Sequence, residues 1–361
     1  MINRIFLIAV ILGVPLSVIG HMMHWSDVLM FIIYCLTIIA LAAFMGRATE
    51  SLAVVAGPRI GGLLNATFGN AVELIISIFA LKEGLTAVVL ASLTGSVLGN
   101  LLLVGGLSFF IGGLKFKRQE FNVYDARHNS GLLIFAVIVA FVIPEVFASE
   151  MDEAKTMSLS VGISIILIIL YLAALFFKLV THRGVYQHKS EEVEEHEEPE
   201  WSMWKAITVL FLSTLAVAYV SESLVSTIEI VSESFGWSEL FIGVIIVAIV
   251  GNAAEHASAI IMAVKNRMGV AVEIAVGSTL QVAMFVAPIL VLVSLMFENQ
   301  MSLVFTWPEL IAMVTAVFLT IAISNDGDTN WFEGATLLGA YIIMGIGFIL
   351  FKKEEAETNM F

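Results

Sequence analysis

Apolar runs of roughly twenty residues follow one another along nearly the whole chain, separated by short charged or turn-forming stretches. A run of that length is what a helix needs to cross the hydrocarbon core of a bilayer. The pattern predicts eleven helices, at 5–22, 27–46, 61–82, 85–113, 128–148, 157–180, 204–226, 239–264, 269–297, 307–324 and 331–351. Pieces such as Arg47 to Arg59 read as short helices leading into a span. The first run, in MINRIFLIAVILGVPLSVIG, has the positive start of a signal peptide but no small-residue cleavage motif, so it reads as a retained helix. The only sizeable polar segment, 181–203, parts the chain in two. The expected organisation is a helix in 1–26, a five-helix unit in 27–180, the linker, a second five-helix unit in 204–351 and a tail from 352 to 361. This is an all-α polytopic membrane protein.

Basic residues orient it. Thirteen of the seventeen lysines and arginines fall on alternate loops: Arg4, Arg47, Arg59, Lys115, Lys117, Arg118, Arg127, Lys178, Arg183, Lys189, Lys205, Lys265 and Arg267. Only Lys82, Lys155, Lys352 and Lys353 lie on the other side. The positive-inside rule puts the N-terminus and the linker in the cytoplasm and, with eleven spans, the C-terminus outside. Composition agrees with the hydropathy. Residues are 59% hydrophobic and 13% charged, against about 25% charged in an ordinary soluble domain. The net charge of −14 argues against nucleic acid and suits cations as ligands. A single cysteine, Cys35, excludes an internal disulfide framework and a thiolate metal cluster.

The chain repeats itself. Gly69-Asn70-Ala71-Val72-Glu73 recurs as Gly251-Asn252-Ala253-Ala254-Glu255, and in both copies a Gly-Ser pair follows 26 residues after the first glycine, Gly95-Ser96 and Gly277-Ser278. A looser echo, Thr49-Glu50-Ser51-Leu52 and Ser221-Glu222-Ser223-Leu224, precedes them, with ten extra residues before the second motif. The repeat unit is five helices long. Because five is odd, the second unit enters the membrane from the opposite side, the inverted arrangement of many secondary transporters, with its site at the midplane.

The motif carries chemistry that a membrane interior does not tolerate idly. A mid-span carboxylate costs roughly 3 kcal/mol on insertion scales, and here two are matched. Asn and Glu three apart share a helix face, and the glycine before them lets the backbone break or be closely approached. Glu73 and Glu255, with Asn70, Asn252, Ser96, Ser278 and Gln281, supply two carboxylates and neutral oxygens, a hard-cation donor set suited to Ca2+. Asn100 offers a further amide. Glu73 and Glu255 are also the proton-coupling groups, since a bare pair would need neutralising when the ion leaves. His256 has Leu74 as its counterpart, which favours a supporting or proton-relay role over ligation. Glu50 and Glu222, near opposite faces, are solvated end residues or gate acids. Glu273, just inside its span, reads as a helix N-terminal acid. The run Glu191, Glu192, Glu194, Glu195, Glu197, Glu198 and Glu200 reads as a solvated linker or as a cytoplasmic Ca2+ attractor, and it lacks the ligand spacing of an EF-hand. Asn65 and Thr67 have Val247 and Ile249 as counterparts, so the two copies differ there.

GLLNATFGNAVELI and GNAAEHASAI, with GSVLGN and GSTLQVA beyond them, resemble the Ca2+/cation–proton exchangers of the cation/Ca2+ exchanger superfamily over about residues 27–351. The resemblance implies a leftover first helix, two inverted five-helix repeats and a midplane site where Glu73 and Glu255 bind Ca2+ and protons competitively, supported by Asn70, Asn252, Ser96, Ser278 and Gln281. It implies no enzyme activity and no cofactor: Ca2+ is the transported substrate and H+ the counter-ion. Nothing precedes the first span that would serve as the autoinhibitory extension of some plant members. A bacterial plasma membrane is the expected location, with a vacuolar membrane the alternative, and association of like chains is open. The rival readings are a Na+-driven Ca2+ exchanger, which would need more ligands than VLGN and TLQV provide, and an exchanger of Mn2+ or other divalent ions for protons.

Overall fold

The computed structural model describes residues 2–182 and 199–351. The linker glutamates from Glu191 to Glu198 lie outside the described residues. Among the described residues eight helices are long and apolar enough to cross a membrane: Asp27–Gly57, Thr86–Lys115, Arg127–Ala148, Glu153–Thr181, Met203–Val225, Met268–Ser294, Trp307–Ser324 and Trp331–Leu350. A ninth forms if Ile228–Phe235 and Glu239–Gly251, bent by 117°, are taken together. The eight match expected spans. Of the other three, 5–22 is a short apolar helix within α1 (Ile2–Met22), while 61–82 and 239–264 are each broken in the middle. Their interruption, not a lack of apolar sequence, keeps them out of the set.

α2 (Asp27–Phe68) bends at Gly57, inside the stretch expected to hold short helices leading into a span, and the φ of 82° and ψ of 168° there suit glycine almost alone. α3 (Ala71–Lys82) completes the broken span. Next come α4 (Thr86–Leu98), a π-helical segment at Gly99–Val104, and α5 (Gly105–Lys115). Helices at 123–148 and at α8 (Glu153–Phe176, ending in a π turn at Phe177–Thr181) close the first unit. The second unit begins with α9 (Met203–Val225). The ten residues extra to the second copy build α10 (Ile228–Phe235), an element the hydropathy pattern does not reveal. There follow α11 (Glu239–Phe241), a π segment at Ile242–Val247, α12 (Ala248–Gly251) and α13 (Ala253–Val264). The unit continues with α14 (Met268–Gln281), a π segment at Val282–Val286 and α15 (Ala287–Ser294). It ends with α16 (Trp307–Ser324) and α17 (Trp331–Leu350).

Burial sorts the helices by role. The window in Thr86–Lys115 is 83% buried and that in Met268–Ser294 61%, whereas Glu153–Thr181 is 17% buried. The two helices that follow the motifs are therefore the centre of the bundle. The outer ones present Ile165, Ile166, Ile169, Ile342, Ile343 and Ile346, side chains that cost nothing against lipid. α2 packs along α9, α4 against the 242–247 segment, α5 against α17, and α13 against α14 and α5. Two-residue strands, Gln119–Glu120 and Asp328–Thr329, pair antiparallel and join the loop after α5 to the loop before α17, with an Arg118–Asp328 ion pair beside them.

Candidate functional site

Each motif glutamate sits in the first turn of a new helix. α2 ends at Phe68 and α3 starts at Ala71, while α12 ends at Gly251 and α13 starts at Ala253. The residue at the break is the asparagine, Asn70 at φ −98°, ψ 18° and Asn252 at φ −106°, ψ 9°. Of the two roles expected of the glycine, breaking the chain falls to the asparagine, for Gly69 is itself helical at φ −53°, ψ −51°, and close approach is the one that remains. Asparagine tolerates the bridge region between helix and strand, and its side chain competes with helical hydrogen bonding. The break exposes the unpaired N–H groups and positive end of a helix to each carboxylate, so Glu73 and Glu255 lie where the backbone favours negative charge.

The glycines do something else. A methyl group built on Gly69 would lie 2.9 Å from Glu255 Oε1, and one on Gly251 would lie 3.2 Å from Glu73 Cβ. Each glycine makes room for the other copy's glutamate, which brings the two breaks together in the middle of the molecule.

The surrounding polar groups interlock across the copies. Ser96 Oγ donates to Glu73 Oε1 at 2.5 Å, and Ser278 Oγ donates to Glu255 Oε2 in the same relation. Asn252 Nδ2 donates to Ser96 Oγ at 2.9 Å, and Asn70 Nδ2 to Gln281 Oε1 at 2.6 Å. All seven residues expected to form the site are thus brought together. Three buried oxygens in it, Glu73 Oε2, Asn70 Oδ1 and Asn252 Oδ1, have no hydrogen-bond partner. Buried acceptors are normally satisfied, and oxygens left bare around two carboxylates are what a hard cation would fill. Among the described residues no group of three or more His, Cys, Asp and Glu could hold a metal, so any ion here relies on two carboxylates plus neutral oxygens.

The copies are not equivalent. His256 Nε2 lies 3.2 Å from Asn100 Oδ1, in space left by Gly99, whose counterpart is Gln281. The histidine therefore supports Asn100 at the edge of the glutamate pair. Asn100 lies in the π-helical segment 99–104, and a matching π segment, 282–286, follows Gln281. Such wide turns recur at functional sites because they re-aim side chains, and apolar sequence gives no hint of them. Among the acids expected at the periphery, Glu222 pairs with Lys82 at 2.9 Å, tying the end of α9 to the end of α3. Glu50 is exposed on α2. Glu273 pairs with Lys178 instead of serving only the start of its helix. One buried carboxylate was missed. Glu309 accepts from the Thr306 backbone and hydroxyl and from Thr94 Oγ1, a capping box legible as Thr306-x-x-Glu309.

A second asymmetry concerns the half-helices before the breaks. Residues 240–250 are packed: the Gly95 Cα abuts the Val244 backbone, and a methyl on Gly243 would meet Ala91 Cβ at 2.5 Å. The matching half-helix, 58–68, stands apart. Gly277, the counterpart of Gly95, has nothing within 4 Å of where a methyl would lie, and Gly62, the counterpart of Val244, is covered by Leu179. Leu63, Asn65 and Thr67 are exposed on it. Glu73 is 1% exposed while Glu255 and Gln281 are only half-buried, so the site is sealed at one glutamate and reachable at the other.

Comparison with known proteins meets this geometry. The sodium/calcium exchanger protein family matches residues 26–180 and 205–350. The chain is 74% identical over 349 residues to the Ca2+/H+ antiporter ChaA of Bacillus subtilis (strain 168), covering 96% of this chain and 99% of that one. It is 42% identical to the Ca2+/H+ antiporter of Aphanothece halophytica, with 96% of each covered. The structure of native YfkE superposes with a TM-score of 0.86 at 68% identity, over 96% of this chain and all of that one. The crystal structure of the H+/Ca2+ exchanger CAX, at 15% identity and a TM-score of 0.72 over 97% of this chain and 92% of that one, shares the fold. By sequence along both halves, the chain belongs to the sodium/calcium exchanger protein family.

Proposed function

We propose that this multi-pass membrane protein is a secondary antiporter that exchanges cytosolic Ca2+ for protons by alternating access. Its site at the midplane is built from Glu73 and Glu255 with Asn70, Asn252, Ser96, Ser278 and Gln281. The observation that carries this reading is the set of bare buried oxygens around two carboxylates. Two facing carboxylates, one of them sealed from water, are costly to keep charged together without a counter-ion. One Ca2+ neutralises both, and so do two protons, which makes occupancy by the two mutually exclusive. The names of the similar antiporters support the same pair of ions.

The eleven spans and the inverted repeat are the frame for this cycle. With basic loops inside, the open half-helix 58–68 belongs to the cytosolic side and the packed half-helix 240–250 to the outer side, which supports reading this arrangement as a cytosol-facing state. Asn65 and Thr67 then line the cytosolic approach, where their apolar counterparts Val247 and Ile249 close the outer one. The Lys82–Glu222 pair latches the outer face in this state. A Na+-driven exchange fits less well, because the positions after each Gly-Ser pair hold no further acid.

In everted vesicles with an acid lumen, 45Ca uptake should follow the pH gradient, not Na+, and fall to background in Glu73→Gln and in Glu255→Gln. Uptake that tracks Na+ would remove the proton coupling, and full transport by either variant would remove the site. Competition by Mn2+ measures selectivity in the same assay.

A further inference from the structure

Outside the seven site residues, the last helix of each half carries a tyrosine in its interior-facing stripe, Tyr171 on α8 and Tyr341 on α17. Both are more than nine-tenths buried, and neither hydroxyl has a hydrogen-bond partner. A buried phenol oxygen without a partner is costly, and tyrosine is normally chosen over phenylalanine where the hydroxyl is used. The surroundings of the two differ. The Tyr171 ring packs on Phe285 with centroids 5.1 Å apart. Phe285 is four residues beyond Gln281, so the two side chains share a face one turn apart. The ring contact accordingly brings Tyr171 against the helix face that carries Gln281. At the place matching Gln281 the other copy has Gly99, which offers no amide.

We infer that Tyr171 is a positioning residue for the ion site: its hydroxyl orients the Gln281 amide so that the carbonyl oxygen faces the glutamates. The inference rests on the site proposed above. In the ion-free arrangement Gln281 Oε1 accepts from Asn70 Nδ2. An arriving cation competes for that oxygen, and the free Tyr171 oxygen is placed to accept from the amide's NH2 group as the carbonyl turns to the ion, so that the NH2 does not face it. Tyr171 also explains why one helix that is mostly lipid-facing turns a polar group inward at this level. With Gly99 standing where the other copy has Gln281, Tyr341 has no counterpart of Gln281 to orient and serves as an internal comparison.

The test uses the full chain in everted vesicles, with 45Ca uptake measured over a range of Ca2+ concentrations. Tyr171→Phe keeps the ring and its packing on Phe285. It should raise the half-saturating Ca2+ concentration about fivefold, the size of one lost hydrogen bond, with little change in maximal rate. Gln281→Ala should raise it at least as much, and the double variant should be no worse than Gln281→Ala, since one residue acts through the other. Tyr341→Phe should leave the Ca2+ dependence unchanged. An unchanged Ca2+ dependence in Tyr171→Phe, multiplying effects in the double variant, or equal effects of Tyr171→Phe and Tyr341→Phe would overturn the inference. Glu255→Gln distinguishes the two levels. If it transports normally the site itself is misplaced, whereas if it is inactive and Tyr171→Phe is silent only the role of Tyr171 falls.

Discussion

Glu73 and Glu255 share a motif but not an environment, and the serines beside them measure the difference. Ser96 bonds Glu73 where the carboxylate is sealed, and it also receives Asn252 from the other copy. Ser278 bonds Glu255 where the side chain is half-buried. Removing Ser96 strands two buried groups, while water can replace Ser278. Hydrogen bonds to charged groups are worth about 1.5–3 kcal/mol, so Ser96→Ala should weaken Ca2+ affinity roughly ten- to a hundredfold and Ser278→Ala clearly less. Equilibrium 45Ca binding to purified protein checks the order, and equal losses would refute the difference in environment. Six of the seven candidate site residues are legible in the sequence because a repeat with fixed spacing marks them, and Gln281 because it stands one turn beyond Ser278. Tyr171 was not, since its partner Tyr341 lies 170 residues on instead of 182 and an aromatic residue in an apolar helix reads as packing. The partnership of His256 with Asn100 was hidden as well, because it crosses between the copies at a place where they differ.

Half-helices are the elements on which the two faces differ, and glycines decide which can close. The copies are offset by 182 residues, so the contact of Gly95 with the Val244 backbone has as its counterpart a contact of Gly277 with Gly62. In the opposite state that contact should form, with Leu179 displaced. Gly62→Cys with Gly277→Cys, in a Cys35→Ala background, should then cross-link only under conditions that draw the cytosolic face shut. A cross-link formed equally well in every state would contradict this. Gly277→Val should fold and bind Ca2+, because the space beside it is open, yet lose at least about tenfold in turnover, the consequence of an overpacked closed state costing about 1–3 kcal/mol. Gly95→Val, directed into backbone, should fail to fold. At this scale the apolar runs place α16 and α17 almost to the residue, and the structure shows Thr306-x-x-Glu309 and Asn330-x-x-Glu333 capping boxes at their starts. The apolar runs did not reveal α10 or the bend at Gly57. A short amphipathic helix and a single unusual dihedral leave hydropathy unchanged.

For the whole molecule, the arrangement of basic loops makes a direct claim. With Cys35 replaced, a cysteine at Glu298 should react with an impermeant maleimide on intact cells. One at Lys265 should react only after permeabilisation. The reverse pattern would invert the entire transport cycle. What periodicity and charge conveyed at this scale was the helical membrane architecture. They could not convey how the halves are fastened, because the strand pair at Gln119–Glu120 and Asp328–Thr329 consists of two residues from each polar loop. That clip also bears on mechanics. It fixes the ends of α5 and α17 to each other, so the halves are not free to swing apart there. The freedom that remains lies within the broken spans. Residues 58–68 are held between Gly57 and Asn70, two points where the helical backbone already yields. At 1.5 Å per residue such a piece is about 16 Å long, and tilting it by about ten degrees about one end carries the other roughly 3 Å. It is a strut on two pivots, and the displacement needed to shut a water path can come from one such lever while the rest of the bilayer-facing surface keeps its place.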